Sequence, residues 1–231
     1  EYVIAEATGL IVVPDHVSNE HAGLFEPINV MYNATRKSCF LADDVCILGA
    51  GALGLIGVQL AKLRGVERII VSEPVAWKRE LARRFGATHL IDPTTQNVVH
   101  EVELITNGAV CDAVLECAGT PETIAMLPYL CKRFGLIVQV GAGGRPAYTD
   151  WDLIHFKFLR VEGMHYPMSP GMAGAIPAME KTMKLIASNK LDIDSLITHR
   201  YSFSVENIQK AFDEIMNDKV IKCVFSFEDQ S

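Results

Sequence analysis

The chain has 231 residues, 49% of them hydrophobic and 21% charged, with a formal net charge of −7. That balance belongs to a folded domain with an ample core, and an acidic chain without a basic run is not built to hold nucleic acid. No apolar stretch reaches the roughly 20 residues that cross a bilayer, and the opening EYVIAEATGL lacks the basic-then-apolar order of a secretory signal.

The first residues, 2–5 and 10–13, read as two short strands closed by Pro14-Asp15. Residues 18–38 read as a helix interrupted at Pro27, with Ser18 or Asn19 as its N-cap. Two short strands and one helix bury no core alone, so this opening reads as the end of something larger. The stretch that organises everything after it is DVCILGAGALGLIGVQLAKLRGVERIIVSE, residues 44–73. An apolar run (45–48) leads into Gly49, Gly51 and Gly54, spaced G-x-G-x-x-G. A helically spaced segment follows, then a second apolar run (68–72) that ends on Glu73. This is the order of a dinucleotide-binding βαβ unit. Gly49 permits the tight turn, Gly51 lets a pyrophosphate approach the backbone, and Gly54 lets helix and strand pack closely. The exposed amides at the helix start, through Ala52 and Leu53, together with its dipole, favour phosphate. Glu73 stands where a carboxylate accepts both ribose hydroxyls and repels a 2′-phosphate, which favours NAD over NADP. The competing readings of the motif are a tightly packed α/β turn and a methyltransferase.

Beyond Pro74 the alternation continues. Helices are expected over 75–85, 94–106, 121–133 and 151–157, with strands over 88–91, 109–116, 136–140 and 158–164. Six strands with intervening helices make a doubly wound parallel sheet of the Rossmann type. After Tyr166 the pattern changes to a helix over 173–188, an extended LITHRYSF, a helix over 205–217 and a final strand over 220–227. Of the six cysteines none forms C-x-x-C, and Cys46, Cys111 and Cys223 fall in predicted strands. Such thiols behave as small buried hydrophobes, which fits a reducing cytoplasm and gives no zinc ribbon.

FEPINVMYNATRK, the glycine-loop unit with GVERIIVSE, and the tail LDIDSLITHRYSFSVENIQKAFDEIMN followed by KVIKCVF together resemble zinc-type medium-chain dehydrogenases. The resemblance is to alcohol, sorbitol and threonine dehydrogenases and covers about the C-terminal two-thirds of such a protein. It implies three parts: residues 1–27 as the end of a GroES-like catalytic domain, 28–165 as the NAD-binding domain, and 166–231 as a return segment packing on the catalytic domain. It further implies that the Cys and His ligands of a catalytic zinc belong to an N-terminal part not in this fragment, which alone would be inactive. Glu26 would then be a zinc carboxylate, directly or through the zinc-bound water; its bland alternative is a solvated or capping glutamate.

Further roles come from the same resemblance. Lys78 matches a basic position bordering the adenosine ribose, with Arg79 in its place if the helix is turned; otherwise it is a helix-surface lysine. Ala118 would line the adenine or ribose side, and Val140, Gly141 and Ala142 the nicotinamide ribose and amide. Met164 would meet the carboxamide through its main chain, and Lys222 would reach the pyrophosphate or simply charge an edge strand. His165 stands near the expected nicotinamide end, as a contact to substrate or cofactor or as a surface histidine, and His199 reads as a packing residue. The implied activity is NAD-dependent, zinc-assisted oxidation of a secondary alcohol of polyol or amino-alcohol type. The implied assembly is a homodimer or homotetramer paired along the sixth strand. The rivals are a zinc-independent NAD(P)H reductase of the same superfamily and a non-catalytic nucleotide-binding module.

Overall fold

Asp44–Leu48 (β1) is buried along its whole length, because it is paired on both sides within a sheet covered on both faces. Around it the computed structural model describes Ile4 and residues 10–38, 42–164 and 175–227. Arg68–Ser72 (β2), His89–Ile91 (β3), Cys111–Glu116 (β4), Cys131–Gln139 (β5) and Arg160–Gly163 (β6) complete a six-stranded sheet in the order β3-β2-β1-β4-β5-β6. Every pairing is parallel, with Ile47 opposite Val71 on one side and Leu115 on the other. The reversal of strand order between β1 and β4 opens the crevice where ligands sit in such sheets, at the carboxyl ends of the strands.

In chain order the helices are α1 (Asn19–Gly23), α2 (Phe25–Ser38), α3 (Ala52–Leu63), α4 (Ala76–Phe85), α5 (Val98–Ile105), α6 (Pro121–Leu130), α7 (Trp151–Phe156), α8 (Ala175–Ala187) and α9 (Val205–Met216). Two further strands, β7 (Ile197–Ser202) and β8 (Lys222–Ser226), pair in parallel as a separate ribbon. The chain divides into two compact units, Val30–Tyr166 on the one hand and Glu1–Asn29 with Pro167–Ser231 on the other. The first unit holds the six-stranded sheet, its core built from residues such as Ile47, Leu48, Ile70, Leu115 and Ile137.

Several boundaries differ from the pattern reading. Residues 10–13 form no strand, and Leu10 and Val12 stand exposed rather than alternating against a face; the strand expected over 2–5 lies almost wholly outside the described residues. The break in the first helical segment falls at Leu24, which ends α1. Pro27 instead sits in the first turn of α2, where its missing N–H has no helical partner to lose. Helix α5 starts at Val98, not Thr94, because Asp92 Oδ1 accepts from the Thr94 backbone and hydroxyl in a local turn and Asn97 caps the helix through the His100 amide. Helix α6 stops at Leu130, and Cys131 already pairs with Cys111 in the sheet. Lys157 Nζ donates at 2.9 Å to the carbonyls of Pro128 and Cys131, satisfying acceptors that the helix end leaves open.

Candidate nucleotide site

The three glycines after β1 meet three different steric demands. Gly49 has φ +93°, and a Cβ there would lie 3.2 Å from Ala118, so the turn needs both left-handed backbone and the absence of a side chain. A Cβ on Gly54 would sit on the carbonyl oxygen of Gly49, which is the close helix–strand approach. Gly51 has open space around it and is the N-cap of α3, a 12-residue helix with no side-chain cap and no acid in its first turn. The first amides of a helix have no acceptor within it, and its dipole is positive at that end.

The first two amides of the turn are already engaged. Gly49 N–H donates to the Ser72 carbonyl at 2.8 Å, and Ala50 N–H donates to Glu73 Oε2 at 2.7 Å. The other Glu73 oxygen accepts from Val75 N–H at 2.9 Å, and the residue is only 5% exposed. The carboxylate is therefore pinned to the glycine turn, at the end of β2, with two hydrogen bonds out of about four lone-pair positions. Arg79 is committed elsewhere: its guanidinium donates to the Glu73 and Pro74 carbonyls at 2.6 and 2.7 Å and pairs with Asp92 at 2.7 Å. Lys78 is buried in α4, its ammonium 5.8 Å from the Trp77 ring centre, so it is not an exposed helix lysine.

The turn after β4 meets this one through Ala118, and the turn after β5 packs on Gly119. Glu116, the last residue of β4, is fully buried. Its Oε1 accepts from Ala118 N–H at 3.0 Å, Gly119 N–H at 2.7 Å and the Thr123 hydroxyl at 2.8 Å, and its Oε2 from the Gln139 amide at 2.8 Å. The same Gln139 nitrogen donates to the Gly141 carbonyl at 2.7 Å. The Val140 and Gly141 amides both donate to the Glu116 main-chain carbonyl at 2.8 Å. A Cβ on Gly141 would come within 2.5 Å of the Gly119 nitrogen, so the two turns are in direct backbone contact. Burial, reinforced by the neighbouring Glu116 charge, pushes the Cys117 thiol up and keeps it protonated. Pattern reading missed Glu116 and Gln139; the available signal was an acid directly after Ala113-Val114-Leu115 in a strand covered on both faces.

The unit Val30–Tyr166 thus brings Gly49–Gly54, Glu73, Ala118 and Val140–Ala142 to the carboxyl ends of neighbouring strands, and Met164 N–H donates to the Gln139 carbonyl at 2.8 Å just after β6. Lys222, the first residue of β8, and Glu26, in the first turn of α2 and exposed, belong to the other unit. His199 packs as expected, with Nδ1 3.0 Å from the Thr198 hydroxyl and its ring stacked on Tyr201. His165 lies outside the described residues. Among the described residues no group of three or more His, Cys, Asp or Glu side chains could hold a metal ion, and no helix is long and apolar enough to cross a membrane.

A family model described as zinc-binding dehydrogenase matches residues 52–188. L-threonine 3-dehydrogenase of Pyrococcus furiosus is 31% identical over 234 residues, covering 97% of this chain and 63% of that protein. An Escherichia coli oxidoreductase/dehydrogenase of unknown specificity superposes with a TM-score of 0.83 at 27% identity, over 94% of this chain and 60% of its own. A Sinorhizobium meliloti protein solved with NADP bound superposes with a TM-score of 0.72 at 29% identity, over 92% of this chain and 58% of its own. The chain spans less than two-thirds of the length of these relatives.

Proposed function

Because this chain belongs to the zinc-binding dehydrogenase family, we propose that it is the nucleotide-holding part of an NAD-dependent oxidoreductase that oxidises a secondary alcohol of polyol or amino-alcohol type. The observation that carries the reading is the glycine turn: open space at Gly51, an uncapped α3 and the Glu73 carboxylate fixed beside it. In this reading the amides from Gly51 to Gly54 hold the pyrophosphate. Glu73 uses its remaining lone pairs on the adenosine ribose, with Lys78 at that border, and Ala118 lines the adenine or ribose side. The backbone of Val140, Gly141, Ala142 and Met164 lines the nicotinamide half, and Lys222 is the proposed second contact to the pyrophosphate. The bound nicotinamide supplies a hydride acceptor. The chain's share is to orient that ring and, by packing Gly49 against Ala118 and the turns after β4 and β5 glycine on glycine, to exclude water from beneath it.

Zinc fits less well. One exposed carboxylate, Glu26, is one donor against the three or four protein ligands that a zinc site takes. Glu26 is proposed as one donor, or as the group orienting a zinc-bound water, in a site whose other ligands come from outside the described residues. The threonine dehydrogenase of Pyrococcus furiosus supports the amino-alcohol side of the substrate class. We further propose a homodimer or homotetramer in the cytoplasm, paired along β6, where Val161 stands exposed with Phe156 and Phe158 nearby in the chain.

The test is a fluorescence titration of the protein with NADH and with NADPH. Tighter binding of NADH is expected, because a 2′-phosphate would face the Glu73 carboxylate; equal affinity overturns the NAD preference. Glu73→Gln should narrow the difference by weakening NADH and relieving NADPH.

A further inference from the structure

We propose that Glu116 is a positioning residue for the nicotinamide half of the cofactor, setting the backbone of two turns at once from a single buried carboxylate. The proposal rests on the nucleotide reading above. The reason to look beyond packing is the charge itself. A carboxylate with no exposure loses several kcal/mol of hydration, and an apolar residue would fill the end of β4 without that cost. What offsets it is an arrangement made only of donors: two amides of the turn after β4, the hydroxyl of Thr123 in the first turn of α6, and the side-chain amide of Gln139 at the end of β5. The positive end of α6, which begins at Pro121, favours the negative charge further.

The consequence reaches beyond β4. With Oε2 accepting, the Gln139 amide must present its nitrogen, and that same nitrogen holds the Gly141 carbonyl at 2.7 Å. Glu116 thereby determines which way the Gly141 peptide faces, through one intervening side chain, while its own main-chain oxygen holds the Val140 and Gly141 amides. A Cβ on Gly141 would come within 2.5 Å of the Gly119 nitrogen and 2.7 Å of Glu116 Oε2, so this position tolerates no side chain on the face that meets them. The Gly49 and Ala50 amides of the turn after β1 donate to Ser72 and Glu73, not to Glu116. The two oxygens serve different contacts: Oε1 holds Ala118, Gly119 and Thr123, and a glutamine in its place keeps that acceptor, whereas Oε2 alone holds the Gln139 amide that fixes Gly141.

Glu116→Gln keeps the shape but turns an acceptor toward the Gln139 nitrogen into a donor, so one amide must flip and the Gly141 carbonyl loses its partner. Isothermal titration calorimetry with NADH and with ADP reads the two halves separately. The expected result is NADH affinity lowered about tenfold, the equivalent of one hydrogen bond to a charged group, with ADP affinity within about twofold of the unaltered chain. A parallel pair on the exposed side of the network guards against loss of the fold: Thr123→Val should move NADH in the same direction by a smaller factor, and Thr123→Ser should restore it. If NADH and ADP fall together, or neither moves, Glu116 only supports the fold and the proposal is overturned. If the unaltered chain binds neither ligand, the nucleotide reading itself fails and takes this one with it.

Discussion

The two units of this chain bury their apolar residues in different ways. In Val30–Tyr166, β1, β2 and β4 are covered on both faces and supply a core of fully buried isoleucine, leucine and valine. In the unit made of Glu1–Asn29 and Pro167–Ser231, β7 and β8 are half-buried at most positions and α9 buries only Ala211, leaving Phe212 and Met216 exposed. There the residues around Leu24, Ile28, Met183, Ile186 and Leu196 make a smaller core. It is supplemented by an aromatic ladder running His199, Tyr201, Phe225, Phe203 and Phe227, and by surface pairs such as Arg200–Glu20 at 3.0 Å and His21–Asp194 at 3.0 Å. Exposed pairs of that kind contribute at most about 1 kcal/mol each. A parallel sheet sandwiched between helices is thus the stable body, and the smaller unit should exchange its amide hydrogens first.

Thiol chemistry should separate the units most sharply. Burial pushes Cys131 up to about 12, and Cys111 goes higher still through its hydrogen bond to Cys46 and its own burial. At pH 8 a thiol near 12 has a thiolate fraction on the order of a thousandfold below an ordinary cysteine. Labelling the native protein with a thiol reagent and mapping the sites by mass should therefore find the half-buried Cys223 of β8 modified long before Cys111 or Cys131; comparable rates would mean that the six-stranded sheet opens as readily as the ribbon.

Next in size is Gly54→Ala, which drives a methyl group into the Gly49 carbonyl. A loss of about 3 kcal/mol in urea unfolding is expected, confined to the larger unit; a change below about 1 kcal/mol would show that α3 can slide away from β1.

Asp112→Asn should act at the amino ends of the same strands. Burial raises the Asp112 carboxyl, but the Lys132 ammonium and the amides of Asp44 and Asp43 more than reverse that, so its folded value lies below the ordinary one. Its contribution is then fully present above the ordinary carboxylate range and is lost as pH falls through the lowered folded value. The variant should cost about 1–2 kcal/mol at pH 7 and nothing once the acid is protonated in both states; a pH-independent loss would trace the effect to packing instead. Smallest of all, Met216→Ser on the exposed face of α9 should change stability by less than about 0.5 kcal/mol. A larger loss would show that the smaller unit depends on surface that the described residues leave open.

Much of the larger unit was legible because its rules are local. Apolar runs bounded by glycine and helically spaced segments placed the six strands and most helices to within a few residues. The G-x-G-x-x-G spacing identified which glycine needs a turn, which needs open space and which needs close packing, and all three demands are met in the structure. Where reading failed, a side chain competed with the backbone pattern. Asp92 and Asn97 delayed α5, and sheet pairing claimed Cys131 before α6 could extend.

Residue order and spacing alone determined the parallel sheet and the acid beside the glycine turn, since each follows from periodicity or from what a missing side chain permits. Only the tertiary structure decided how two of the buried acids, Glu73 and Glu116, are used. Glu73 takes the Ala50 amide 23 residues away, and Glu116 takes Gln139, also 23 residues away. Such partners meet only after the strands have paired, and nothing in local sequence says which donors a buried carboxylate will find.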